Sequence, residues 1–472
     1  MRSHISRRIL ARRRNQVLLV ALFGLVLGSV MTRVFAQNEG NRNKKLKGFD
    51  ALIAENAERM VQEGRQTFRF DTFGSEAFWG DQLQLHRSIA GARNGGVGPG
   101  LSPRTALGLG LKVDAEALPG NIVADMKAGR VDLDNPAVTL QLLQLNAVIG
   151  VTGFFGPDGR LRSVGIQCAL CHSTVDQSFA TAAIPAGAIG ARLDGWPARD
   201  LNVGAVIASA PTVKPFAELL GIEEATVRQV LLSWGPGKFD AELILDGKAF
   251  RPDGTSAATL NPAAFGLAGV NLHTYTGWGS VTHWNGFVAN LEMQGKGTFW
   301  DPRLNNAEQF PIAAKAGFGN KRSDPDLITP KLAALHFYQL AIPAPRQEFG
   351  TRPDRSRRED ALSAEQVDLG REIFANKARC ATCHVPPLYT EPGWNMHTPE
   401  EIGIDSFQAD RSPDRHYRTT PLNGMVAKMK GGFYHDGRFP TLLAVVNHYD
   451  AHFKLGLSEE EKRSLVVFLE SL

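Results

Sequence analysis

Cys168-Ala-Leu-Cys171-His172 and Cys380-Ala-Thr-Cys383-His384 are the two stretches that decide how this chain is read. In each, two thiols three residues apart sit on one turn and a histidine follows at once. Thiols at that spacing can each add to a vinyl group of one haem, and the next residue then lies under the iron and ligates it through imidazole. The two motifs use all four cysteines of the chain. A zinc site could be built from two separated pairs, but it would not need histidine after both. A redox dithiol normally occurs once, within a thioredoxin-like βαβ pattern. The expectation is two covalently attached c-type haems, bound through Cys168, Cys171, Cys380 and Cys383, with His172 and His384 as proximal iron ligands.

The rest of the chain agrees with attachment outside the cytoplasm. Residues 1–36 hold seven arginines and no acidic residue, so the formal charge of +4 leaves 4 − 7 = −3 on the remainder. Such a mildly acidic body gives no reason to expect a nucleic-acid partner. After the arginines, Val17 to Val30 is apolar, and Val34-Phe35-Ala36 puts small residues at −3 and −1 before Gln37. This is the pattern of a cleaved export signal. The run falls short of the roughly 20 residues that span a bilayer. A membrane partner is expected only if the segment stays uncleaved, and the location expected is periplasmic. With 43% hydrophobic and 21% charged residues the composition is ordinary for a globular chain and excludes a fibrous or disordered one.

At 472 residues the chain has room for about three domains. The fold class expected is mainly α, with two cytochrome c-like haem domains preceded by a small helical one. Residues 37–150 carry helical spacing over Phe49 to Gln62 and Pro136 to Val148, separated by a Gly-rich loop at 90–104. Residues 151–345 hold the first motif and a long loop-rich insertion, 185–325, and end in an amphipathic run, Leu327 to Leu340, stopped by Pro343 and Pro345. Residues 346–361 read as a charged linker. Residues 362–472 form the second haem domain. Its helix over Ala361 to Ala375 leads to the motif, and Ser458 and Glu461 form a capping box on a terminal helix that buries Leu465, Val466, Phe468 and Leu469. Trp284 to Leu291 also echoes His435 to Leu442, one after each motif.

Phe433-Tyr-His-Asp-Gly-Arg438 with Thr441-Leu442, placed after a CxxCH, resembles the bacterial di-haem cytochrome c peroxidase superfamily, which includes the branch that matures methylamine dehydrogenase. The resemblance is strong over 362–472, moderate over 155–345 and absent over 37–150. It implies that one haem exchanges electrons while the other, in the first haem domain, meets peroxide. By position in Trp284-Asn-Gly-Phe-Val-Ala-Asn-Leu-Glu292-Met-Gln294, Trp284 matches the family's inter-haem tryptophan and Gln294 its distal glutamine. Packing in the core is the rival reading of Trp284. Asn285 and Phe287 depart from the aspartate and arginine of the pattern. The distal glutamate would fall near Leu304; Glu308 is the closest acid beyond it, with Asp301 and Glu292 as rivals.

The resemblance also bears on the open faces of the two irons. No histidine follows His172 closely, which implies an open first haem; His273, His283 and His336 are the alternatives. Tyr449 occupies the position of the second haem's distal ligand, and a phenolate there favours ferric iron. His448, His452, Met425 and Met429 are its alternatives. His435 and Asp436 read as loop anchors. Thr419 and Pro421 match a carbonyl pair that holds calcium, or form a simple turn.

The function expected is an exported di-haem oxidoreductase that reduces hydrogen peroxide. A distal carboxylate at Glu308 would move the proton, Trp284 would connect the haems, and a redox protein would be the electron donor or acceptor. Two other readings stay open: a non-enzymatic electron-transfer cytochrome, and a di-haem oxygenase or oxidase acting on an organic or protein substrate. No Gly-rich phosphate loop follows a clear strand, so nothing points to a nucleotide cofactor.

Overall fold

Helix formation dominates the backbone: the chain is mostly helical, 43% helix with little strand, as the mainly-α expectation has it. The computed structural model describes residues 46–346 and 364–472. The export segment read over 1–36 lies outside them, as does the linker read over 346–361 apart from Arg346. Among the described residues no helix is long and apolar enough to cross a membrane. Strands form only two-stranded pairs among these residues.

The chain divides into two compact units, Met1–Arg59 and Met60–Leu472. Helix α1, Phe49–Phe70, starts in the first and ends in the second. Its apolar spacing reads as stopping at Gln62, where Glu63 and Gly64 follow. The structure continues it because Gly64 is a packing position and not a break. A Cβ there would lie 2.0 Å from the carbonyl oxygen of Ala334, on the helix that closes this core.

Among the described residues the second unit is built on four apolar cores. The first draws Phe78, Leu83 and Leu142 together with Val164, Ile189 and Leu231, so residues on both sides of position 150 share it. Helix α2, Pro136–Gln144, contributes Leu142 and Leu143, with Asn135 as N-cap and proline in its first turn. Strands β1, Val151–Phe155, and β2, Leu161–Ile166, pair antiparallel and lead into the short helix α3, Ala169–His172. The second core packs Phe68 and Phe73 with Ala169, Met293, Leu335 and Tyr338. The third is aromatic, around Trp278, Trp284, Phe287 and Phe310.

Between the two motifs run helices α4, Glu224–Ser233, α5, Leu243–Asp246, α6, Val281–Phe287, and α7, Thr329–Ala341. The fourth core lies wholly within residues 367–469. Its helices are α8, Ala364–Ala375, α9, Leu442–Phe453, and α10, Glu459–Glu470. The capping box on α10 is formed: the Ser458 hydroxyl accepts from Glu461 N, and the Glu461 carboxylate accepts from Ser458 N. Leu465, Phe468 and Leu469 are buried, while Val466 is half-buried at the edge of the core. Phe374 of α8 meets Phe468 edge-on at 5.2 Å.

Gly370 lets α8 and α10 approach, since a Cβ there would lie 2.1 Å from the Ser464 carbonyl oxygen. Gly370→Ala should therefore destabilise by about 1–3 kcal/mol despite alanine's better helix propensity. Ser458→Ala should cost about 1 kcal/mol through the lost cap. Urea denaturation of each variant reads both effects.

Candidate functional site

The first motif is held at its C-terminal end. Gly195 N donates to His172 O at 2.8 Å and Ala198 N to Cys171 O at 2.9 Å. Ser173–Val175 (β3) pairs antiparallel with Arg192–Asp194 (β4), and the Ser173 hydroxyl donates to Asp194 at 2.8 Å. Asp194 also accepts from Arg69 and Tyr338, each at 2.5 Å. The His172 ring is fixed by its Nδ1, 3.1 Å from the Pro262 carbonyl. A neutral imidazole that donates from Nδ1 keeps a lone pair on Nε2, the arrangement a metal ligand needs. Burial favours that neutral form by lowering the histidine's pKa. Cys168 and Cys171 are free, and burial pushes both thiols up to about 12; at Cys171 the Glu292 carboxylate adds to the effect.

The second motif repeats the device. His384 N donates to Cys380 O at 2.9 Å, and His384 Nδ1 lies 3.0 Å from the Tyr389 carbonyl. Burial lowers its pKa to about 4. The Tyr389 ring is held against Phe374 and Phe468. Cys380 is free, and burial raises its pKa to about 11. Tyr449 projects from α9 close enough to Cys380 and Cys383 to interact with them electrostatically. Burial raises its pKa, opposed by the Tyr434 hydroxyl. The alternatives are engaged elsewhere. The Nε2 atoms of His448 and His452 meet the carbonyls of Ile402 and Glu401 at 2.9 and 3.1 Å. Met425 belongs to the fourth core and Met429 is exposed. Among the described residues one trio could hold a metal ion, Cys383, Glu391 and His397, and Cys383 is part of the motif.

Between the motifs in sequence, Ser280 caps α6 by accepting from His283 N. Trp284 on α6 is 8% exposed and meets Trp278 edge-on at 4.8 Å. Its Nε1 has no partner. The helix then widens into a π-turn, Val288–Glu292, a form enriched at functional sites. The Asn290 amide donates to the Gly286 carbonyl at 2.8 Å, which its own backbone N–H would serve in an α-helix. Gln294 ends the turn in the left-handed region, φ +60°, and its amide folds back onto Leu291 O at 2.6 Å.

The three candidate acids have different surroundings. Glu308 is exposed, because Asn306 turns the chain outward by accepting from Glu308 N at 3.1 Å and Gln309 N at 3.3 Å. Asp301 is tied as an anion to Arg303 at 2.7 Å and His283 at 3.0 Å. Those two partners hold its pKa well down against burial. Glu292 instead lines a cavity with Asp240, Trp79, Leu231, Trp234 and Phe239. Burial, with Glu242 and Asp240 nearby, raises its pKa to about 8. Of the histidines read as alternatives, His273 Nε2 meets Val270 O and His336 Nδ1 meets Thr282 Oγ1.

Three cations gather with no acid paired to them among the described residues. Lys428 Nζ donates to the carbonyls of Pro421 and Asn423, each at 2.7 Å. Burial, then Arg418 and Arg199, lower its pKa to about 7. Arg418 donates to the carbonyls of Leu272 and Thr274, and burial lowers it to about 10. Arg199 Nε and Nη1 are buried with no partner. Half-buried cations grouped in this way favour an anion beside them.

No known family model matches the chain. Two characterised proteins do. The methylamine utilization protein MauG of Methylorubrum extorquens is 26% identical over 228 residues, covering 41% of this chain and 61% of MauG. The cytochrome-c peroxidase IdrP1 of Denitromonas iodatirespirans is 28% identical over 249 residues, covering 40% of this chain and 64% of IdrP1. These similarities support a relationship of this chain to the di-haem cytochrome c peroxidase superfamily. The chain spans less than two thirds of the length of either relative. The diheme peroxidase BthA of Burkholderia thailandensis is similar at 16% identity over 51% of this chain and 78% of BthA, with a TM-score of 0.30, too low to establish a common fold.

Di-haem peroxidase relatives imply haem cofactors, and the residues fit them. Each motif histidine is half-buried with Nδ1 held, and Arg199, Arg418 and Lys428 suit the propionate carboxylates of haem. Calcium fits less well. The Pro421 carbonyl already takes the Lys428 ammonium at 2.7 Å, and the Thr419 carbonyl takes the Thr390 hydroxyl. A second cation would compete with lysine for one oxygen. The cation trio and the acids around Glu292 escaped the sequence reading because their members share no local spacing.

In the haem-free polypeptide, stability should rise with pH between about 7 and 10.5. Folded Lys428 has lost its proton there while the unfolded lysine keeps it. Lys428→Met should flatten that slope, read by urea denaturation across the window.

Proposed function

We propose that this chain is an exported, periplasmic di-haem c-type oxidoreductase that reduces hydrogen peroxide with electrons from a redox protein. In this reading, residues 151–345 and 362–472 are its two cytochrome c-like halves and 37–150 a helical domain before them. The observation that carries the reading is the shared treatment of His172 and His384, each beside a pair of free cysteines with Nδ1 on a backbone carbonyl. Covalent haem bound at these motifs supplies the redox chemistry that the side chains lack. Pro262 and Tyr389 orient the proximal imidazoles. Tyr449, close to Cys380 and Cys383, would be the residue available to the second haem, and Trp284 with Trp278 would form the aromatic contact of an electron path. IdrP1, by its name a cytochrome-c peroxidase, supports peroxide as the oxidant.

The purified ferric protein should give one high-spin and one low-spin signal by low-temperature electron paramagnetic resonance. Steady-state peroxide turnover should exceed that of His172→Ala. Turnover no better than this variant, with two low-spin signals, would instead indicate an electron carrier. Cys171→Ala and Cys383→Ala should each halve the covalent haem per chain, read by haem stain after denaturing electrophoresis.

A further inference from the structure

We propose that the first turns of α1 are a membrane-surface site. Phe49, Leu52 and Ile53 enter the headgroup boundary of a bilayer, and the cations just before them meet its anionic phosphates. The proposal goes beyond the peroxidase reading and takes from it only the place, since an exported chain works beside a membrane.

Helix α1 has two unlike halves. Gly64, Thr67 and Phe68 are buried at its C-terminal end, and no helix residue before Gly64 is. At the other end Phe49 is 75% exposed, Leu52 59% and Ile53 53%, and Leu46, just ahead of the helix, 53%. No other stretch of eight described residues carries more than two exposed large apolar side chains. Positions 49, 52 and 53 share one helix face. The stripe they begin is interrupted at Asn56, the next position on that face, whose side-chain oxygen accepts from Arg59 at 2.7 Å.

The charges are sorted as well. Arg42, Lys44, Lys45 and Lys47 precede the helix, and no acid lies between Glu39 and Asp50. The positive end of the helix dipole points the same way. Asp50, Glu55 and Glu58 fall on other faces than the apolar one. An apolar face with cations at its start is the pattern of a helix that lies in the headgroup boundary.

Size favours lipid over protein as the occupant. Three or four such side chains expose a few hundred Å², short of the roughly 1,200 Å² that a stable protein interface buries. A helical partner would need the apolar stripe to run on over several turns, and Asn56 breaks it. A bilayer has no such requirement, because each apolar side chain that leaves water contributes by itself. The apolar run Val17 to Val30 lies shortly upstream, so export brings this helix out beside a membrane.

Vesicle flotation of the haem-loaded mature protein, beginning at Gln37, tests the site. The probes are vesicles of phosphatidylglycerol with phosphatidylethanolamine, and vesicles of phosphatidylcholine alone. The protein should float with the anionic vesicles, and several-fold less with the neutral ones or at high salt. Phe49→Ser combined with Ile53→Ser should lower binding about tenfold or more, with covalent haem per chain unchanged because both side chains are exposed. Should that variant lose haem, Leu52→Ser is read in the same way. Absent binding, or binding that these substitutions leave unchanged, overturns the proposal. Flotation of the full chain alone would make Val17 to Val30 the anchor and also overturn it. A native dimer that the substitutions dissolve, read by sedimentation velocity, would give the face to a second copy and overturn it too. Vesicle binding by a protein that fractionates with the cytoplasm would leave the site standing and remove the export reading instead.

Discussion

The burial of Arg411 against Asp240 and Asp246 is the interaction on which the arrangement of this molecule turns. Residue 411 lies after the second motif, and its partners lie between the two motifs. A guanidinium taken out of water costs several kcal/mol unless its bonds are satisfied, so the pair forms only when the two stretches are fully seated together. Breaking it would leave an uncompensated buried charge. Arg251 works in the same direction, reaching Asp405 at 3.3 Å, Asp436 at 3.4 Å and the His435 ring at 2.9 Å. His435 and Asp436 therefore anchor this contact as well as their own loop.

Apolar packing sets the frame within which these charges meet. The fourth core is closed by α8 and α10 and holds the second motif through Phe374, Tyr389 and Phe468. The first motif is placed differently. It follows a β-hairpin, its helix packs Ala169 into the core of Phe68 and Met293, and its end is stitched into β3 and β4. Two local motifs of the same spacing are thus held by unlike surroundings. The result at each histidine is nevertheless the same: Nδ1 is held against a backbone carbonyl.

Charge without a partner marks the regions tied to function. Arg199, Arg418 and Lys428 have carbonyl partners or none, and Glu292 has carboxyl neighbours where a cation would be expected. A protein that carried no cofactor would gain stability by replacing such groups with apolar ones. The three cations suit a pocket for the carboxylates of a haem.

The sequence by itself determined the two attachment motifs, the mainly helical character, the capping box at Ser458 and Glu461, and the resemblance to di-haem peroxidases. Each is written in residues a few positions apart, where spacing alone dictates geometry. Trp284 and Gln294 could be singled out for the same reason. Only the tertiary structure decided which acid lines a cavity. Glu292 and Glu308 look alike in a linear reading, but the π-turn carries one inward and the Asn306 turn carries the other to the surface. The cation trio and the carboxyls around Arg411 were likewise invisible. Their members lie far apart along the chain, and the low dielectric that perturbs them exists only once the cores have closed around them.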